Sequence, residues 1–117
     1  MMRPGWVLRA EGLAVCAFCI AVYCSQHGSW LLFAALFLAP DLSMLGYLGG
    51  VKVGAAVYNL FHTYVFPIGL WLAGDLLGHP LLILGALIWG AHIGFDRLLG
   101  FGLKYDTDFK DTHLNRV

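Results

Sequence analysis

Between Gly12 and Phe95 the 117-residue chain carries only three charged side chains, Asp41, Lys52 and Asp75; the other eleven crowd its two ends. Soluble domains average about 25 % charged and 45–50 % apolar residues; this chain has 12 % and 60 %. So short a chain has too little interior to hide that much apolar surface from water. Composition therefore excludes an ordinary soluble domain and a disordered chain. Three cysteines do not make a disulfide scaffold. An integral membrane protein is what remains. Seven basic residues against seven acidic ones give no net charge, hence no basic footprint for nucleic acid.

A helix crosses a bilayer when about 20 mostly apolar residues run together, because lipid offers free backbone groups no partner. Four such runs can be read: Val7 to Cys24, Ser29 to Tyr47, Val51 to Ala73 and Pro80 to Phe101. The breaks have turn chemistry: Ser25-Gln26-His27-Gly28, then Gly49-Gly50, then Gly74-Asp75 and Gly78-His79-Pro80. A signal peptide is rejected for the first run, since Glu11 interrupts it and Cys24-Ser25-Gln26 is a poor cleavage site. The expected fold class is all-α: a four-helix transmembrane bundle over residues 1–102, then a polar tail over 103–117 that is either solvated or a lid.

Arg3 and Arg9 lie at the start of the first run, Lys52 in the second loop, and Arg97, Lys104, Lys110 and Arg116 at the end of the fourth run and in the tail. With four crossings all of them fall on one side, which the positive-inside rule makes cytoplasmic. Both termini are thus expected inside. Reporter fusions after Lys104 and at His27 should report cytoplasm and exterior, respectively; a cytoplasmic signal at His27 breaks the four-span reading.

Cys16 and Cys19 form a C-x-x-C pair inside the first apolar run, with no basic or aromatic redox setting, and read as small packing residues. Gly46, Gly50 and Gly54 are four apart, as are Gly90 and Gly94. Small residues at this spacing let membrane helices approach closely, within the bundle or in a homo-oligomer.

Ionisable groups at membrane depth are costly and mark sites by default. Asp41 lies twelve residues from Ser29, His92 twelve from Pro80 and His62 eleven from Val51. At a rise of about 1.5 Å per residue these are depths of about 16–18 Å, near the middle of a core about 30 Å thick. Asp96 follows His92 by one turn and shares its helix face. Three helices therefore offer ionisable groups at one level. Histidine nitrogen and carboxylate oxygen suit zinc, iron or manganese, so Asp41, His62, His92 and Asp96 are the candidate metal ligands. The alternative is structural, a buried Asp–His network that satisfies itself and sets helix register. Haem ligation by His62 and His92 has no supporting motif.

Glu11, embedded in the first of four short helices, resembles the essential carboxylate of the small multidrug exporters, which implies proton-coupled transport of cations. It equally reads as an interfacial carboxylate near Arg9. In the tail, His113 or Asp111 would reach the cluster if the lid closes, as an additional ligand or general base.

Five stretches carry a closer likeness: Arg9-Ala-Glu-Gly-Leu-Ala14, Ala39-Pro-Asp-Leu-Ser-Met-Leu-Gly-Tyr47, Val57-Tyr-Asn-Leu-Phe-His-Thr-Tyr64, His92-Ile-Gly-Phe-Asp-Arg97 with Gly100-Phe-Gly-Leu-Lys-Tyr105, and Phe109-Lys-Asp-Thr-His-Leu114. Together they resemble the family of small bacterial membrane proteins catalogued as domain of unknown function 4260. The resemblance implies a four-helix inner-membrane protein and brings no established activity. More distantly, Pro-Asp in one helix, a later His, and His-x-x-x-Asp-x-x-x-Gly-x-Gly are similar to the inner-membrane metal-dependent hydrolases of bacteria. That likeness implies Asp41, His62, His92 and Asp96 as metal ligands. The chain departs from the hydrolase pattern in having one His in the third helix and Arg97, not Thr, after Asp96.

The expected function is a membrane-embedded metal-dependent hydrolase acting on a lipid or phosphate ester. Its ligands are those four residues, with Glu11 and His113 as candidate catalytic groups. The rivals are a small proton-coupled transporter and a non-enzymatic bundle.

Overall fold

The computed structural model describes residues 4–100, Gly102, Leu103, Thr112 and Leu114. Its elements are α1 (Pro4–Ser25), α2 (Trp30–Phe37), a 3-10 helix (Ala39–Gly49), α3 (Val51–Phe61), α4 (Val65–Leu77) and α5 (Pro80–Leu99). Four stretches are long and apolar enough to cross a membrane: Pro4–Ser25, Trp30–Gly49, Val51–Leu77 and Pro80–Leu99. The all-α bundle expected from the sequence is the fold.

Two of the four stretches are broken in mid-course, which the apolar runs did not announce. Trp30–Gly49 changes from α to 3-10 at Pro40, whose missing N–H cannot serve the α-helical ladder. Val51–Leu77 breaks between Phe61 and Val65. Pro67 is compatible with helix only in a first turn, where its N–H is not needed, so α4 begins just before it. The Gly74-Asp75 pair, read from sequence as a turn, lies inside α4; the helix stops at Gly78, whose φ of 62° is the left-handed conformation of a helix end.

Helix α5 is the centre of the bundle. It packs most extensively on α1, next on α4, and also on α2. The α1 stripe of Gly12, Cys16, Cys19 and Tyr23 recurs at helical spacing and is buried. It meets Leu87, Ile88 and Ala91 of α5 in the core. Cys16 and Cys19 are free thiols in that interface, the packing role expected of them. Gly90 and Gly94 likewise face α1 within the bundle: a Cβ on Gly94 would lie 2.6 Å from the Gly12 carbonyl oxygen.

The 3-10 helix and α3 pack chiefly on each other, as a hairpin. The hairpin reaches α5 through side chains: Trp89 and Arg97 bond to α3 carbonyls, and His62 meets His92. An aromatic ladder of Tyr23, Trp30, Phe33 and Phe37 runs along α1 and α2 and ends edge-on against the His92 ring.

Candidate metal centre

The break after α3 frees backbone carbonyls at membrane depth, where each needs a donor. Three of them receive one from a side chain. The amide of His62 turns to Asn59 at 3.2 Å, leaving the Tyr58 carbonyl, and the His62 ring fills it: Nδ1–H donates to Tyr58 O at 2.9 Å. The Trp89 indole donates to Phe61 O at 2.6 Å. Arg97 Nη2 donates to His62 O at 2.8 Å. A guanidinium at a helix C-terminus also suits the negative end of the helix dipole.

The first of these bonds decides the state of His62. A carbonyl only accepts, so the proton sits on Nδ1 and, in the neutral ring, Nε2 carries a lone pair. That lone pair faces Asp41 Oδ1 at 3.3 Å, Asp96 Oδ2 at 3.5 Å and His92 Nε2 at 3.2 Å. His92 Nε2 in turn lies 3.1 Å from Asp41 Oδ1 and 3.2 Å from Asp96 Oδ2. Both histidines are buried, at 0 % and 2 % exposure, and the Asp96 side chain is 13 % exposed. Asp41 is the open member, its side chain 37 % exposed.

The four atoms, all within 4.8 Å of one another, fit a metal ion on three counts. First, bond lengths of about 2.0–2.1 Å to nitrogen and oxygen give a tetrahedral edge of about 3.3–3.4 Å, and the five separations above straddle that value. Second, two carboxylate oxygens and the His62 Nε2 lone pair converge on one spot, an arrangement of acceptors that a cation or proton between them would satisfy. Third, a divalent ion neutralises the two carboxylates, and unneutralised charge is what the apolar interior tolerates least.

The rings around the ligands are held from outside. Tyr58 stacks on His62 with centroids 3.8 Å apart and planes 6° from parallel. Phe37 abuts His92 at 5.2 Å. His92 Nδ1 is buried without a hydrogen bond of ordinary geometry, although the Phe37 backbone interacts with the ring.

The structure thus brings together Asp41, His62, His92 and Asp96, the four ligands expected from sequence. Glu11 is not among them; it is exposed on α1. His113 and Asp111 lie outside the described residues. Arg97, counted in the sequence with the basic residues at the cytoplasmic side, is instead buried, 7 % exposed, and close over the Tyr64 ring. Sequence reasoning missed Arg97, Tyr58 and Trp89 as supports of the site. An Arg directly after a ligand, inside an apolar helix end, was the available signal for the first.

The model of a domain of unknown function (DUF4260) matches residues 6–117. The chain belongs to the DUF4260 family. The match includes Asp41, His62, His92 and Asp96 and runs through the tail. No curated protein and no solved structure matches the chain. These comparisons lend no support to the distant likeness to metal-dependent hydrolases.

Proposed function

We propose that this DUF4260 protein is an inner-membrane hydrolase built on a divalent-metal centre, acting on a lipid or phosphate ester. The observation that carries the reading is the His62 tautomer: bonded to Tyr58 through Nδ1–H, the ring turns an acceptor toward two carboxylates and a second imidazole. Asp41, His62, His92 and Asp96 would hold the ion. An ion there supplies Lewis acidity toward an ester or phosphoryl oxygen and makes water a nucleophile near neutral pH. Asp41, the half-buried and most open of the four, presents Oδ1 to the cluster and would orient an attacking water. Arg97 and Trp89 hold the His62 end of the hairpin on α5, which fixes two ligands against the other two.

The test is elemental analysis of protein purified without added metal, with thermal unfolding followed before and after chelation. About one zinc, iron or manganese per chain is expected. Stripping an ion held at a hundredfold above its Kd removes about 2.7 kcal/mol of stability, a drop of several degrees in melting temperature. Metal-free protein that melts identically in chelator overturns the centre and leaves a self-satisfied Asp–His network.

A further inference from the structure

A cavity of about 230 Å³ lies beside the cluster, lined by Leu36, Ala39, Pro40, Phe61, Gly85 and Trp89. Pro40 and Phe61 directly precede two of the ligands, Asp41 and His62, and Trp89 lies one turn before a third, His92. The lining side chains are apolar, apart from the Trp89 indole N–H, which is spent on Phe61 O. All six residues belong to membrane-spanning stretches, so the cavity opens at hydrocarbon depth. A second observation comes from Gly85. Glycine inside a helix costs about 1 kcal/mol relative to alanine, and close packing is the usual compensation. Here a Cβ would meet only Leu70 Cδ2, at 3.9 Å. The missing side chain therefore leaves room and relieves no crowding. A larger cavity, about 500 Å³ between α1, α4 and α5, is also apolar; Tyr64 and Gly90 in its lining stand two residues from His62 and His92, but none of its lining residues directly precedes one of the four, as Pro40 and Phe61 do.

We infer that the smaller cavity seats an acyl chain of a membrane lipid, which makes the substrate of the centre a lipid and not a water-soluble ester. The inference rests on the metal-centre reading and narrows it. An acyl chain is the ligand abundant at that depth, and it matches a lining without free polar groups. Seated there, the chain brings its lipid alongside Asp41, the ligand open to approach.

The test uses the full-length protein in phosphatidylethanolamine–phosphatidylglycerol vesicles containing a phosphatidylglycerol with a mid-chain diazirine. After photolysis, labelled positions are mapped by mass spectrometry and metal is measured on the same samples. Labels are expected to concentrate on Leu36, Phe61 and Trp89. Gly85→Leu, whose Cβ would meet no neighbouring backbone atom within 4 Å, adds bulk to the lining and should reduce them about tenfold and leave metal content unchanged; Ala39→Leu is the second variant that adds bulk to the lining should the first fold poorly. Labelling spread evenly over outward residues such as Leu31, Leu48 and Leu76, or unmoved by both variants, overturns the acyl site even if metal is present. Focused labelling of metal-free protein overturns the centre, and with it the lipid's role as substrate.

Discussion

His92→Ala is expected to abolish stoichiometric metal binding while the four spans still insert. The ring contributes one of four candidate ligand atoms and three of the five short separations in the cluster, 3.1 Å to Asp41, 3.2 Å to Asp96 and 3.2 Å to His62. Loss of a hydrogen bond that merely orients a ligand costs about 10–100-fold in metal affinity; loss of the ligand itself should exceed that. Asp96→Asn should weaken binding less, since the amide oxygen keeps its place and loses its charge. Affinity should also fall with acidity, because His62 and His92 bind the ion only when deprotonated; metal is expected to leave at or somewhat below the unperturbed His pKa of ~6.5, the ion competing with the proton. A structural Asp–His network predicts otherwise. His92→Ala would then take one of their two imidazole partners from Asp41 and Asp96, and melting would drop equally with and without chelator. Elemental analysis and melting curves of wild type and both variants, each with and without chelator, separate the two.

The cluster of four was legible in the sequence because the membrane makes polar residues informative. Asp41, His62 and His92 stood out against apolar runs, residue counting put them at one depth, and the i,i+4 spacing added Asp96. The breaks in the helices that carry Asp41 and His62 were not legible in the same way. Hydropathy sums over a span and is blind to which backbone groups are bonded, so Pro40 and Pro67 were read through as parts of continuous helices. Yet those breaks build the site. The first sets Asp41 in the first turn of the 3-10 helix, and the second leaves His62 as the cap of α3, free to bond backward to Tyr58. Gly74-Asp75 misled in the opposite direction, because turn composition does not stop a helix that packs on a neighbour; Gly74 sits against Leu82 and Ile83 of α5. Arg97 stands in the last turn of α5, as its place in the sequence implied, but a count of positive charges cannot tell an interfacial cation from one turned inward to a carbonyl.

The second large effect is expected at Gly94, buried in α5 and two residues from both His92 and Asp96. A Cβ there would lie 2.6 Å from Gly12 O, 2.7 Å from Cys16 N and 3.1 Å from Cys16 Cα. All three are backbone atoms of α1, so no side-chain rotation relieves the clash and the two helices must part. Overpacking a core costs about 1–3 kcal/mol when side chains can shift; Gly94→Val, meeting backbone, should exceed that range. Because His92 and Asp96 flank Gly94 on α5, the displacement should also release metal. Gly90 is the control on the same helix. A Cβ there meets only Cys19 Sγ, at 2.9 Å, the end of a side chain. Gly90→Ala should therefore destabilise mildly, and Cys19→Ala should restore the loss. Cys16→Ala should do nothing for Gly94→Val, since the obstacle is the Cys16 backbone and not its sulfur. Thermal melting and metal content of the single and paired variants in one detergent give the answer. Rescue of Gly94→Val by Cys16→Ala, or wild-type melting of Gly94→Val alone, would overturn the close approach of α1 and α5 that holds the ligand-bearing helix in place.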